Sequence, residues 1–182
     1  LIRDACPTDT PAIAAIYNPY IADTTISFEE APVSVDAMRE RIAAVQAAGL
    51  PWLVCEGEDG AIGGYAYATP WRVRHAYRFS VETSVYLAHG NAGRGLGKAL
   101  LARLLESLRE KGCHLAIAGI AQPNEASVAL HEKLGFVKVA HFGEVGFKFG
   151  RWLDVGYWEL RLQAPTSSAP PGTAAPPSAA SP

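Results

Sequence analysis

Residues 82–108 read ETSVYLAHGNAGRGLGKALLARLLESL: a strand-like opening, a glycine-rich turn, then leucines at helical spacing. Leu100, Leu101, Leu104, Leu105 and Leu108 fall on one face and Gly112 supplies a stop, so a helix is expected over 96–111. The apolar run HLAIAGIA (114–121) reads as a buried strand. A strand, a crossing helix and a second strand make parallel neighbours joined right-handedly, which places the chain in the α/β class.

The turn raises the question of a ligand. Gly93, Gly95 and Gly97 leave backbone N–H groups exposed at a helix N-terminus, where hydrogen bonds and the helix dipole favour a diphosphate, and Arg94 and Lys98 add charge. A tight turn that needs glycine only for its geometry accounts for the same residues. Two familiar phosphate motifs are excluded by counting. A Walker A loop would need glycine at Ala92 and a hydroxyl at Ala99. The dinucleotide pattern G-x-G-x-x-G meets Lys98 or Leu100 where its last glycine belongs.

Outward from this unit, residues 1–5 suit a short strand, and 9–22 a helix with Thr8 or Asp9 as N-cap. Ser34 opens a second helix that carries Val35, Met38, Ile42 and Val45 to a stop at Gly49. WLVCE (52–56) and AIGGYAYATPW (61–71) flank GEDG as an antiparallel hairpin, and RFSVETSVYLA (78–88) is a third long strand. A short helix, ASVALHEKLG (126–135), precedes two more strands, FVKVAHF (136–142) and DVGYWELRL (154–162). The order β-α-α-β-β-β-α-β-α-β-β predicts a mixed sheet of about seven strands with about four helices.

The 182 residues, 49% hydrophobic, can bury one sizeable core, which is expected to occupy residues 1–163 as a single domain. The remaining APTSSAPPGTAAPPSAASP (164–182) has no large apolar residue and is expected to be a flexible tail. A net charge of −2 gives no global field toward nucleic acid or anionic lipid, so the expected partner is a small molecule. No apolar run reaches transmembrane length and LIRDACPTD has no signal-peptide pattern, so a cytoplasmic location is expected. Cys6, Cys55 and Cys113 are odd in number, far apart and without a CxxC, which fits buried thiols rather than a disulfide framework or zinc site. The histidines share no ligand spacing, and no metal is expected.

The strand VETSVYLA, the glycine turn, the long helix, the next strand, Asn124-Glu-Ala-Ser127 and LHEKLGF (130–136) together resemble the GCN5-related N-acetyltransferase family. In that family the turn follows [Q/R]-x-x-G-x-[G/A] and holds the diphosphate of coenzyme A. Gly95 and Gly97 fit the pattern, whereas Ala92 replaces its first residue. IYNPYIADTTISFEE (16–30), PWRVRHAYRFSVETSVY (70–86), NEASVALHEKLGF (124–136) and GFKFGRWLDVGYWEL (146–160) are similar to the phosphinothricin and methionine sulfoximine acetyltransferases. The resemblance implies an acyl-CoA N-acyltransferase fold, whose mostly antiparallel sheet splays between its fourth and fifth strands to admit acetyl-CoA, and a homodimer.

N-acetylation of an amine needs diphosphate anchoring, thioester placement, carbonyl polarisation, deprotonation of the ammonium and protonation of the thiolate. By the resemblance, Gly93, Arg94, Gly95, Leu96, Gly97 and Lys98 anchor the diphosphate. The backbone of Val85, Tyr86 and Leu87 pairs with the pantetheine amides, and an N–H near Leu87 polarises the carbonyl. Glu82 is implied as the base, although a lone strand glutamate is ordinarily a surface residue. His131 stands where many relatives carry tyrosine and is implied as acid, base or relay, with a helix-surface histidine as the plain reading. Asn124 suits a helix N-cap and by resemblance contacts the pantetheine arm.

For the acceptor, Arg72 and Arg74 lie two apart, on the same side of an extended segment, and suit bidentate carboxylate recognition. An exposed loop with solvated charge is the plain reading, and it would account for one of the two. Tyr77 is near, and Phe28 and Glu29 are expected to close the opposite wall, the glutamate holding the ammonium. Trp152, Tyr157 and Trp158 are expected in core or subunit interface. The function expected is acetyl-CoA-dependent N-acetylation, by direct transfer, of the α-amine of a small amino acid analogue such as phosphinothricin, methionine sulfoximine or methionine sulfone. A polyamine or drug amine as acceptor, or a non-catalytic acyl-CoA-binding module, are the alternatives.

Overall fold

The computed structural model describes residues 1–163; the expected tail, 164–182, lies outside the described residues. The elements are β1 (Ile2–Asp4), α1 (Thr10–Asp23), α2 (Val35–Ala47), β2 (Trp52–Glu56), β3 (Ile62–Pro70), β4 (Ser80–Leu87), α3 (Leu96–Glu110), β5 (Leu115–Gln122), α4 (Glu125–Lys133), β6 (Val137–Lys148) and β7 (Arg151–Arg161). The strands form one seven-stranded sheet in the order β1-β2-β3-β4-β5-β7-β6. Only β4 and β5 are parallel, because α3 crosses between them; every other pair is antiparallel. The architecture is the mixed α/β, mostly antiparallel sheet that the element order and the resemblance imply.

Alternation divides the sheet into two differently covered faces. On one, the α3 leucines 100, 101, 104, 105 and 108, none more than 2% exposed, press on Leu53, Ala66, Ala68, Val81, Ala116, Ala118 and Trp158. Large side chains on the helix meet the alanines at 66, 68, 116 and 118 on the strands, which lets the helix lie close to the sheet. On the other face, α1 and α2 cover Trp52, Val54 and Tyr65. They pack chiefly on the β1–β4 half of the sheet, with the end of α1 reaching Lys148 on β6, which leaves the same face of β5 and β7 less covered.

Local signals explain most boundaries. The Ser34 hydroxyl accepts from Ala37 N–H at 3.1 Å and caps α2, and Gly49 beyond its end takes φ +74°. Asp9 differs from its expected capping role. Its carboxylate is held by Arg3 at 2.7 and 2.9 Å and by Cys6 N–H at 2.8 Å, so an ion pair to β1 replaces a cap on α1. Residues 71–79 also differ: instead of an extended segment they form bends and a 3₁₀ turn, His75–Tyr77. The last two strands run longer than 136–142 and 154–162. A bulge between Phe142 and Gly146 carries β6 on to Lys148.

We predict that Leu104→Ala, at a position with 0% exposure under α3, destabilises the protein by about 2–5 kcal/mol, read from urea unfolding followed by circular dichroism.

Candidate active site

The parallel ladder between β4 and β5 is three pairs long, Ser80↔Leu115, Val81↔Ala116 and Glu82↔Ile117. The Thr83 hydroxyl then donates to the Ile117 carbonyl at 3.3 Å, so a side chain takes up the ladder's next acceptor. Beyond it the strands part: β4 stays with β3 as far as Leu87↔Gly64, and β5 stays with β7 as far as Gln122↔Asp154. The fork is lined by Thr83 to Tyr86, Ala118 to Ala121, Ile26, Asn124, Ser127 and His131.

One edge of this fork is unpaired main chain. Ala88 N–H bonds Gly63 O at 3.0 Å, and antiparallel alternation then turns Tyr86, Ser84 and Glu82 toward β3 and Val85 and Leu87 toward the fork. Of the three residues expected to present their backbone there, Tyr86 does not. Its main chain faces β3, and its ring packs on Tyr17, Tyr20 and Tyr65 at 5.0, 5.1 and 5.4 Å. Leu87 is already engaged: its N–H donates to Tyr20 Oη at 3.3 Å and its carbonyl accepts from the same hydroxyl at 2.7 Å. Val85 is the open position.

At the mouth of the fork the glycine turn enters α3. Gly93 and Gly95 take φ +77° and +81°, and no atom lies within 4 Å of a Cβ built on either, so backbone conformation is what requires glycine. The first helical bond is Ala99 N–H to Gly95 O at 3.0 Å, which leaves the N–H groups of Leu96, Gly97 and Lys98 without helical acceptors. Arg94 is steadied by Asn91 Oδ1 at 3.1 Å, and Lys98 is exposed. Unmatched donors, open space and two cations suit a diphosphate, so these residues fit the anionic end of acetyl-CoA.

Glu82 sits at the base of the fork, half-buried, and burial pushes its carboxyl above its ordinary pKa while Arg72 opposes the shift. A Cβ built on Gly119 would stand 3.1 Å from both Glu82 Oε1 and Tyr157 Cε1, so the missing side chain makes room for both groups. Gly119 was missed by sequence reasoning, although a glycine inside an apolar strand is a signal of close approach. Tyr157 is not simply core: its ring meets Trp71 edge-on at 5.7 Å, and burial and Glu82 raise its pKa. Trp158 is core at 2% exposed, and Trp152 is 59% exposed.

His131 is 3% exposed on α4. Its Nδ1 lies 2.8 Å from the Ser127 carbonyl, which can only accept, so Nδ1 carries the hydrogen and Nε2 of the neutral ring is a bare lone pair without a partner among the described residues. Burial lowers its pKa. Asn124 Oδ1 accepts from Ser127 N–H at 3.1 Å, capping α4 and leaving its amide NH₂ as the free donor.

The acceptor-side candidates divide. Arg72 stacks over Trp71 at 4.0 Å and influences Glu82 and Tyr157. Arg74 precedes the exposed 3₁₀ turn that carries Tyr77, so the two arginines do not share one side of an extended segment. Glu29 is committed elsewhere. Arg41 binds both its oxygens at 2.6 and 3.0 Å and Tyr17 Oη donates at 2.8 Å, so it differs from the free ammonium ligand expected. Phe28 packs its ring over Gly146. A larger cavity of about 370 Å³, walled by Met38, Val45, Trp52 and Tyr65, lies under α2 and includes none of Glu82, His131 or Asn124.

Residues 2–156 match the acetyltransferase (GNAT) domain family. The chain is 44% identical to the phosphinothricin N-acetyltransferase of Alcaligenes faecalis, with 93% of this chain and 89% of that protein covered. It is 41% identical to the L-methionine sulfoximine/L-methionine sulfone acetyltransferase of Pseudomonas paraeruginosa, covering 93% and 98%. The solved phosphinothricin acetyltransferase of Sinorhizobium meliloti, in complex with acetyl-CoA, superposes with a TM-score of 0.88 at 38% identity, covering 95% and 96%.

The His131 ring is expected to titrate below its ordinary 6.5 and to be the Nδ1–H tautomer when neutral, both read from imidazole ¹⁵N shifts. With the folded value depressed, the unfolded chain binds the proton better below 6.5. The His131 contribution to stability therefore declines as pH falls from 6.5 toward the folded value.

Proposed function

The chain belongs to the GNAT family and is an acetyl-CoA-dependent N-acetyltransferase, and from that premise we propose that it acetylates the α-amine of small amino acid analogues by direct transfer. Phosphinothricin, methionine sulfoximine and methionine sulfone are the acceptors proposed, in keeping with the names of the relatives. The observation that carries this reading is Glu82, a carboxyl of raised pKa at the base of the fork and within the electrostatic influence of the Arg72 guanidinium. A base and a carboxylate-binding cation at one spot suit an amino acid and disfavour a polycation.

Acetyl-CoA, when bound, supplies the acetyl group as an activated thioester. The residues 93–98 hold its diphosphate, and the open edge at Val85 offers an N–H to polarise a carbonyl. Glu82 takes a proton from the acceptor ammonium, freeing the amine to attack, and Arg72 receives the acceptor carboxylate. Neutral His131 must gain a proton at Nε2 before it can give one. We therefore assign it the relay, accepting the second proton from nitrogen and returning it to the departing thiolate. Phe28 and Tyr157 wall the acceptor.

A homodimer forms part of the same proposal. β6 is an edge strand of the sheet, and Val139, Phe142, Val145 and Phe147 on it, with Trp152 on β7, are each at least half exposed. An apolar edge of this extent is suited to a second copy of the chain. Phe147→Glu is expected to shift sedimentation toward the monomer.

Glu82→Gln is expected to lower kcat/KM for L-methionine sulfone by about 10²–10⁴ while the dissociation constant of acetyl-CoA is retained. In the wild type kcat/KM rises with pH as Glu82 ionises, with a midpoint above the ordinary 4.5, and the variant lacks this limb. Turnover with spermidine but with no carboxylate-bearing amine would refute the acceptor class.

A further inference from the structure

Lys148 closes β6 and is 2% exposed, yet none of the chemistry above uses it. Its ammonium donates to the carbonyls of Ile21 at 2.8 Å, Thr24 at 3.0 Å and Ser27 at 2.6 Å. A buried ammonium is tolerated only where its hydrogens are matched, and here all three end on main-chain oxygens. Ile21 lies in the last turn of α1, where carbonyls lack helical donors and the helix dipole favours a cation.

The three carbonyls converge on one nitrogen, so the chain leaving α1 is folded around it. That same stretch forms one side of the site. Ile26 borders the fork, and the Ser27 hydroxyl lies 2.9 Å from Tyr17 Oη. Phe28 rests on Gly146, two residues before Lys148, where a Cβ would overlap its ring. Two neighbouring positions on β6 thus grip the segment 24–28, one through charge and one through an absent side chain.

We infer that Lys148 is a positioning residue for acceptor binding: its ammonium fixes the segment 24–28 so that Ile26 and Phe28 wall the acceptor side of the fork. This rests on the reading of Phe28 as part of that wall. It assigns Lys148 no contact with either substrate. Its loss should loosen the wall and weaken acceptor binding while the glycine turn, at the other end of the fork, keeps its hold on acetyl-CoA.

The test compares full-length wild type, Lys148→Met and Phe28→Ala by hydrogen exchange and by kinetics with L-methionine sulfone, or with whichever α-amino acid the wild type turns over fastest. Lys148→Met is expected to speed amide exchange over residues 24–28 and raise acceptor KM, each by about tenfold, with kcat and the acetyl-CoA dissociation constant changed less than about twofold. Unchanged exchange, or an unchanged acceptor KM while Phe28→Ala raises it, overturns the role of Lys148 alone. An unchanged KM in Phe28→Ala overturns the wall reading beneath it. If Lys148→Met does not fold, Lys148→Arg decides. A planar guanidinium cannot gather three carbonyls on one nitrogen, so the same rise in KM is expected and an unchanged KM overturns the inference.

Discussion

A parallel ladder that stops after three pairs is the constraint on which the rest of this molecule depends. Were β4 and β5 paired along their full lengths, the main-chain groups of Val85 would be consumed in the sheet and Glu82 would lie beneath a closed surface. Because the strands part just after Glu82, the sheet interior becomes a wedge: dry enough at its base to raise a carboxyl, and open enough above to receive an extended guest. The flanking pairings compensate for the gap. β4 remains bonded to β3, and β5 to β7, through the whole parted region, so each wall of the wedge is a hydrogen-bonded strand pair.

Burial acts on the two titratable groups of the fork in opposite directions along the pH scale but with one effect. It raises Glu82 and lowers His131, in each case by disfavouring the charged form. Their ordinary values are thereby drawn toward each other. A carboxylate that holds its proton more readily and an imidazole that releases its proton more readily are both suited to passing protons on. The tautomer matters as much as the pKa. The Ser127 carbonyl fixes hydrogen on Nδ1, so the neutral ring can only receive a proton at Nε2, which is why a relay rather than a resident acid is the role proposed for it.

The order of elements was legible because each carried its own local signal: the α3 leucines, the Ser34 cap, the glycine stops. The fork was legible only through resemblance, since nothing in VETSVYLA or HLAIAGIA states where a ladder ends. What escaped the sequence depends on contacts between distant segments. Glu29 reads as a free carboxylate until Arg41, on another helix, is seen to occupy both its oxygens. Arg72 and Arg74 read as a pair until the bends after β3 separate them. The strands β6 and β7 read as shorter than they are, because a bulge after Phe142 carries β6 on and Gly146 beyond it seats an aromatic ring, contacts that no local pattern announces.

Gly119 and Gly146 make the same point about how this sheet builds a site. Neither glycine takes a backbone conformation closed to other residues; each is needed for the volume it omits. At Gly119 the omitted side chain admits the Glu82 carboxylate beside the Tyr157 ring, and at Gly146 it admits Phe28. Both lie outside the β1–β4 half on which α1 and α2 chiefly pack, on either side of β7 in the strand order. An alanine at either position would preserve strand, register and pairing yet press a side chain out of place. Strand propensity therefore carries no information about these positions, and the constraint on them comes from the site.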